Sequence, residues 1–368
     1  MNPRIVGLGW VTPLGRGIDH VWDRLLQGEQ ANTESISDSV SDKPYCAFRV
    51  PGPTLKNLPP HPRLRRASAI SRFAAAAGLD ALACAKSATG DIDATRIALV
   101  FAVSNGGVTY TKRFYDDVLE SGAQSASPLL FPETVFNAPA SHLAAILGLA
   151  GASYTLVGDG AVGILAMKMA ADLLENEALD ACLVVGAEEA DWLLCDAYHK
   201  WRLIRKEPPV ELFRNPPRGM ILSEGAGAVL IARDGAVRVD EIDPGGNFSH
   251  RQNATEIIQQ TLRRLTAREA SVIASANGTF VDLAERAAME KEMPGAPVYS
   301  PKAALGESVG ASALWQIVIA AQALRTKRLP PQMKQPTAGW VSASCSCLRT
   351  IVLSCGLNHQ VAGLRLSI

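Results

Sequence analysis

The stretch Ile5-Val-Gly-Leu-Gly-Trp-Val-Thr-Pro-Leu-Gly15 decides how the rest of the chain is interpreted. Its first part is apolar and predicts a short buried strand, and its Thr-Pro-Leu-Gly end predicts a turn. Val21, Leu25 and Leu26 then recur on one side of a helical period, which predicts an amphipathic helix. A strand that leads through a turn into a helix is typical of an α/β protein.

The same alternation continues along the chain, whereas residues 34–62, rich in Ser, Asp and Pro, predict a long surface excursion. Further strands are predicted at residues 97–103, 153–157, 181–186, 225–232, 237–242, 271–276, 298–300, 340–344, 350–355 and 361–366. Helical periodicity separates many of them, which implies a mainly parallel sheet covered on both faces. The second half repeats the style of the first, so we expect one compact unit of two halves, residues 1–232 and 233–368.

Composition excludes several classes of protein. The chain has 368 residues, 48% hydrophobic and 20% charged, which is a globular composition. Its 36 basic and 36 acidic residues cancel, so the overall charge does not attract nucleic acid or anionic membrane. No run reaches the roughly 18 apolar residues of a membrane span, and no signal-peptide pattern opens the chain, so we expect a cytoplasmic protein.

The seven cysteines are odd in number and lie mostly in apolar runs, which predicts reduced thiols. Cys345 and Cys347 are spaced too closely for a zinc-binding CxxC pair, and no second pair lies near them. We therefore expect neither a metal nor a cofactor.

Four segments resemble β-ketoacyl synthases and occur in that family's order along nearly the whole chain. Residues 7–15 resemble the family's GLGxVTPLG, and Arg218-Gly-Met-Ile-Leu-Ser-Glu-Gly-Ala-Gly-Ala228 resembles its DGFVxGEGAG. Residues 276–279 stand where the family has AHGT, and residues 302–311 where it has KxxxGHxxGAAG. The resemblance implies an α/β thiolase fold, in which two pseudo-repeated halves stack as αβαβα layers.

The resemblance also indicates what the chain lacks. Matching residues 151–155 to the family's GPSLT places Gly160 at the position of the catalytic cysteine, and Asn277 and Glu307 at the positions of the two catalytic histidines. Gly160 has no side chain that could form an acyl-enzyme. An ionised Glu307 would repel an enolate, whereas the histidines of the family stabilise one.

Lys302 is the member of the catalytic group that this chain retains, and we expect its ammonium to pair with Glu307 or Glu224. Asp159 and Glu307 admit two interpretations. They form a carboxylate pair for hydrolysis or dehydration, or Asp159 caps the following helix while Lys302 neutralises Glu307.

Residues 356–361 replace the family's glycine-rich C-terminal loop, GFGGTN. Asn358 and His359 take the place of two glycines, which predicts a stiffer loop. His359 is the histidine expected near the former catalytic position, as a structural hydrogen-bonding group or as a catalyst.

Two further groups of residues follow from the resemblance. The segments that line the acyl tunnel across the dimer interface in the family correspond here to Tyr110, Phe114, Tyr115 and Phe136, for which plain packing is the alternative. The strand through which the family dimerises corresponds to residues 153–157, with Ser153 and Thr155. A basic patch for an acyl carrier protein, or an ordinary solvated face, is formed by Arg63, Arg65, Arg66, Arg72, Lys112 and Arg113.

These observations favour a non-condensing subunit similar to a chain-length factor. Such a subunit pairs with an active ketosynthase, shapes the acyl tunnel, and works with an acyl carrier protein in bacterial fatty acid, polyketide or aryl polyene synthesis. Two alternatives remain open. One is an acyl-thioester hydrolase or acyltransferase with a non-cysteine site, and the other is a homodimeric scaffold without an acyl ligand.

Overall fold

The computed structural model describes residues 2–38, 41–65, 67–331 and 348–368, so the predicted strand at 340–344 lies outside the described residues. The strands are β1 (Arg4–Thr12), β2 (Gly15–Arg16), β3 (Thr33–Asp38), β4 (Ser41–Phe48), β5 (Ile97–Val103), β6 (Ser153–Val157), β7 (Ala181–Glu188), β8 (Leu222–Ser223), β9 (Gly225–Ala232), β10 (Val237–Asn247), β11 (Ala270–Ile273), β12 (Val298–Tyr299), β13 (Arg349–Cys355) and β14 (Gln360–Ser367). The helices are α1 (Ile18–Leu26), α2 (Ala69–Thr89), α3 (Val108–Ser121), α4 (Ala138–Leu147), α5 (Val162–Leu173), α6 (Trp192–Lys200), α7 (Ala254–Leu265), α8 (Phe280–Glu292), α9 (Lys302–Leu305) and α10 (Ser312–Thr326).

The opening stretch forms β1 in the interior of the large sheet, where α2 packs directly against it. A Cβ atom at Gly7 would lie 2.1 Å from the carbonyl oxygen of Ala81, and one at Gly9 would lie 2.0 Å from that of Ala77. No side chain fits at these distances, so the two glycines allow the helix backbone to approach the strand.

The described part of the chain contains the same strand arrangement twice. In the first half the order across the sheet is β6-β5-β7-β9-β1, and in the second half it is β12-β11-β13-β14-β10. In the first half β5 pairs in parallel with both of its neighbours, and in the second half β11 does the same. The remaining pairings are antiparallel. A short antiparallel contact between β1 and β10 joins the halves. The prediction of two pseudo-repeated halves is confirmed. The prediction of a mainly parallel sheet is wrong, because antiparallel pairings outnumber parallel ones among the described strands of the large sheet.

Helices complete the layers. α2 and α4 pack together on one outer face, and α7 and α8 pack together on the other. Between them, α5 and α10 contact each other and strands of both halves. Nearly every residue of α10 is buried, as expected for a helix that is apolar on all sides. These five layers are the predicted αβαβα arrangement, and among the described helices none is long and apolar enough to span a membrane.

The surface excursion predicted at residues 34–62 contains a hairpin that the sequence analysis did not predict. β3 and β4 form an antiparallel hairpin, and β4 pairs in parallel with β8. Tyr45 and Phe48 are buried, whereas β3 carries mainly exposed polar residues. β4 therefore pairs with a segment 175 residues away in sequence, a contact that local patterns do not reveal. The hairpin places Arg49 and Val50 beside the site described next.

Candidate functional site

Gly160 lies in the turn between β6 and α5, buried against the segment that follows β13. A Cβ atom at Gly160 would lie 3.4 Å from the Cα of Gly356 and 3.6 Å from the carbonyl oxygen of Cys355. The Ser354 hydroxyl donates to the carbonyl oxygen of Gly160 at 2.8 Å. These are ordinary van der Waals distances, so the expected nucleophile position lacks a side chain although it has room for a Cβ atom.

Asp159 holds this segment in place. Its Oδ1 accepts from the backbone N–H of Leu357 at 3.0 Å, and its Oδ2 accepts from those of Asn358 at 2.8 Å and His359 at 3.4 Å. The carboxylate lies so close to Gly356 that a Cβ there would come within 2.0 Å of Oδ2. A buried carboxylate satisfied by several N–H groups makes a rigid anchor.

The prediction that Asp159 caps the following helix is wrong. The N-cap residue of α5 is Ala161, and no side chain caps it. The acceptor capacity of Asp159 is instead directed at residues 357–359, which lie almost 200 positions along the chain.

Glu307 and Lys302 form a buried ion pair, with 2.6 Å between Oε2 and Nζ, and each side chain is 3% exposed. Asn277 donates through Nδ2 to the same oxygen at 2.7 Å, and the Ser312 hydroxyl donates to Oε1 at 2.9 Å. The predicted pairing of Lys302 with Glu307 is confirmed. Both carboxylate oxygens are satisfied, so this pair has the geometry in which a buried ion pair is tolerated.

The Asn277 side chain is committed as well. Its Oδ1 accepts from the Thr279 hydroxyl at 2.6 Å and from the Thr279 N–H at 3.2 Å. Its amide therefore turns its donor towards Glu307 rather than towards an incoming oxyanion. Gly160 has no side chain, and Asn277 and Lys302 direct their donors to an internal carboxylate.

Two acidic residues near Asn277 were missed by the sequence analysis. Asp282 accepts from the N–H groups of Asn277 at 2.7 Å and Gly278 at 2.9 Å, and burial raises its pKa to about 6. Glu285 accepts from Ser275 N–H at 2.9 Å, and burial raises its pKa to about 7. The two acidic residues lie three positions apart on one helix, soon after Asn-Gly-Thr. This pattern could have identified them from the sequence.

Glu224 is not a partner of Lys302. Its Oε1 accepts from Arg49 Nε at 3.1 Å and from Val50 N–H at 3.0 Å, so that expected alternative is wrong. Burial raises the pKa of Glu224, and the neighbouring Arg49 opposes that shift. His359 is exposed, and its carbonyl oxygen accepts from Phe248 N–H at 2.7 Å, so its backbone helps to fix the loop.

Glu188 at the end of β7 anchors the turn before α3. Its Oε2 accepts from the N–H groups of Ser104 at 3.0 Å and Asn105 at 3.2 Å. Burial raises its pKa from 4.5 to about 8, against the opposing effect of these backbone donors. The turn that it holds leads into the helix that carries Tyr110 and Phe114.

An apolar surface lies on α3, on the segment between α3 and α4, and on β6. Phe114 contacts Phe131, with 5.7 Å between ring centroids. β6 is an edge strand, and its residues include Ser153 and Thr155. The exposed apolar residues that define this surface are Tyr115, Leu119, Leu129, Phe131, Val135, Phe136, Tyr154 and Val157. Exposed apolar residues gathered beside an unpaired strand edge are typical of an interaction surface.

The basic residues of the predicted patch, before and at the start of α2 and on α3, are not all available. Lys112 is not available, because its ammonium pairs with Asp38 at 2.7 Å. Arg66 lies outside the described residues. The arginines that remain exposed are Arg63, Arg65, Arg72 and Arg113.

Comparison with known proteins identifies the family of this chain. The sequence model described as "Beta-ketoacyl synthase, N-terminal domain" matches residues 4–236. The chain belongs to the β-ketoacyl synthase family. Among the residues that the structure describes, no group of His, Cys, Asp and Glu is suited to hold a metal ion, and Cys345 and Cys347 lie outside that part.

Curated relatives of this β-ketoacyl synthase homologue are distant. A 3-oxoacyl-[acyl-carrier-protein] synthase 2 of Coxiella burnetii is 24% identical over 91% of this chain and 89% of its own length. The synthase 2 of Vibrio cholerae is 24% identical over 62% of this chain, and the match spans 56% of the Vibrio protein. A putative polyketide beta-ketoacyl synthase 2 of Streptomyces halstedii is 23% identical over 89% of this chain and 86% of its own length.

Solved structures show the same fold. A β-ketoacyl synthase from Burkholderia phymatum STM815 has a TM-score of 0.84 at 19% identity and covers 100% of this chain and 99% of that one. A ketosynthase in complex with its chain length factor from Xenorhabdus doucetiae has a TM-score of 0.83 at 18% identity, covering 100% and 98%. At these identities the likeness establishes the thiolase fold.

Proposed function

We propose that this chain is a non-condensing ketosynthase homologue of the chain-length-factor type, which pairs with an active β-ketoacyl synthase. The observation that carries the proposal is the arrangement around Gly160. The position that the resemblance assigns to the nucleophile has no side chain, and Asp159 anchors the segment that packs against it. Covalent catalysis needs a positioned nucleophile with an activating base, and a glycine supplies no nucleophile, which supports the proposal.

The Glu307 network supports the same proposal. A catalytic carboxylate has to change its protonation or its partners during turnover. Glu307 is instead held by Lys302, Asn277 and Ser312 in a pocket of low exposure. The same contacts weigh against the hydrolase or acyltransferase alternative, because neither Asp159 nor Glu307 retains an unengaged oxygen for a substrate or water.

The proposed partner surface is the apolar surface defined above. Exposed aromatic anchors carry much of the energy of protein interfaces, and Phe131 and Phe136 have this character. On the partner's side we infer a matching face of an active ketosynthase, so that α3 closes the far end of its acyl tunnel. The complexes of ketosynthases with chain length factors among the structural relatives support this choice.

An acyl carrier protein is the second proposed partner. Arg63, Arg65, Arg72 and Arg113 are exposed and suited to an acidic protein surface. The chain would act in bacterial fatty acid, polyketide or aryl polyene synthesis, in the cytoplasm.

The test is co-expression of the tagged chain with the ketosynthase encoded in the same gene neighbourhood. We expect a heterodimer by size-exclusion chromatography with light scattering. Phe131→Asp, at a residue 56% exposed, should weaken it by roughly thirtyfold or more, because a charge would be buried at the interface. Leu193→Asp is the matched control, since Leu193 is also exposed, at 44%, but lies on α6 outside the apolar surface.

Other outcomes would favour the alternatives. A stable homodimer that ignores the ketosynthase would favour the scaffold. Turnover of acyl thioesters by the purified chain, abolished by Glu307→Gln, would favour the hydrolase or acyltransferase.

A further inference from the structure

A surface cavity of about 390 Å³ lies beside the start of α2. Its walls come from the short turns at Gly52–Leu55 and Pro62–Arg65 and from α2 itself. The lining residues are Leu55, Leu58, Pro59, Pro60, His61, Pro62, Leu64, Arg65 and Arg72. None of them belongs to the Glu307 network, and Arg65 and Arg72 are also among the arginines proposed above to face an acyl carrier protein.

The lining combines an apolar wall with hydrogen-bond donors. Three leucines supply the wall, and three prolines restrict the backbone that carries it, which limits the cost of ordering the site when a ligand binds. The charged side chains are two guanidinium groups, and the lining includes no carboxylate. A cavity with this set of groups favours an anion over a cation.

His61 adds a third donor. Its Nδ1 accepts from the N–H of Arg63 at 3.2 Å, which leaves the ring proton on Nε2. His61, Arg65 and Arg72 thus all line the same cavity.

The two guanidinium groups are available for a ligand. Within the described ranges, neither Arg65 nor Arg72 forms an ion pair with a carboxylate, whereas most other arginines do so. Both residues are exposed, so a ligand would displace water rather than break an internal salt bridge. Guanidinium groups bind carboxylate and phosphate in a planar, two-pronged geometry.

We propose that this cavity binds a small amphiphilic anion, with a phosphate or carboxylate headgroup on Arg65 and Arg72 and a short alkyl chain on the leucine wall. The volume of about 390 Å³ lies within the range of roughly 300–1,000 Å³ that small-molecule sites occupy. Its ligand is held without a covalent bond.

The experiment is isothermal titration calorimetry of the full chain with octyl phosphate, octanoate, inorganic phosphate and the uncharged octyl glucoside. We expect saturable binding of octyl phosphate or octanoate, and the tighter of the two identifies the headgroup. Inorganic phosphate and octyl glucoside should bind at least tenfold more weakly, because each contacts only half of the site. Arg65→Gln and Arg72→Gln should each lower affinity about tenfold.

Arg63→Gln is the matched control, because it removes the same charge from an adjacent exposed residue whose side chain does not line the cavity. It should change affinity less than twofold. A second readout uses the unmodified chain, in which the imidazole NMR signals of His61, assigned with His61→Gln, should shift on titration.

Three results would overturn the proposal. They are the absence of saturable binding of both octyl anions, equal binding of octyl glucoside, and an equal loss of affinity in Arg63→Gln and Arg65→Gln.

Discussion

Replacing Lys302 with Met isolates the contribution of the buried ion pair. Met has a similar length and no charge, so the substitution leaves Glu307 buried beside an apolar group. Removing one partner of a buried pair typically costs about 3–5 kcal/mol, because the remaining charge is left uncompensated. Glu307 would keep its bonds from Asn277 at 2.7 Å and Ser312 at 2.9 Å, so we expect a loss near the lower limit, about 3 kcal/mol.

The assay is urea unfolding followed by tryptophan fluorescence. The free energy of unfolding of each variant is compared with that of the unmodified chain, with the same dependence on urea concentration used for both. Arg286→Met is the matched control, because Arg286 pairs with Glu290 at 2.8 Å on the surface, where the two side chains are 35% and 51% exposed. A surface pair of this kind contributes roughly 0.3–0.5 kcal/mol.

The double variant Lys302→Met/Glu307→Gln completes the cycle. Removing the second charge should recover at least half of the loss, since no uncompensated charge remains. The reasoning is refuted if Lys302→Met costs no more than Arg286→Met, or if the double variant is no more stable than the single one.

Three further changes probe the rest of the site. Asp159→Ala removes the acceptor for residues 357–359, so hydrogen exchange of the Leu357 and Asn358 amides should accelerate about tenfold or more, and unchanged protection would contradict the anchoring role. Because burial raises the pKa of Glu188 from 4.5 to about 8, the folded state binds a proton that the unfolded state has released between these values. Stability should therefore fall as pH rises through this window, and Glu188→Gln should reduce that slope in urea titrations; an identical slope would count against it. Gly160→Cys should not form an acyl-enzyme with acyl thioesters, because the donors of Asn277 and Lys302 are engaged by Glu307, and stoichiometric acylation by mass spectrometry would show that the site still accepts substrate.

The sequence predicted the layers well, because strands such as β5 and β7 are buried on both faces and appear as continuous apolar runs. The motifs also led to Asn277 and Glu307, which the structure joins by a hydrogen bond, and to the pairing of Lys302 with Glu307, two residues five apart.

What it missed depends on contacts between distant segments. β3 has the exposed, polar composition of a loop and becomes a strand by pairing with β4, which itself pairs with β8. Asp159 precedes a helix, so local rules assign it as a cap, but its partners arrive from the other half of the fold. Glu224 likewise meets Arg49 only because the hairpin brings it there.

The central claim is that this chain shapes a product that it does not itself make. The most direct measurement is mass spectrometry of the products formed by a reconstituted mixture of malonyl-loaded acyl carrier protein and the neighbouring ketosynthase, with and without this chain. We predict that the chain alone makes no condensation product, and that the pair makes products of a narrower length range than the ketosynthase alone. An identical length distribution with and without the chain, or condensation by the chain alone, would contradict the claim.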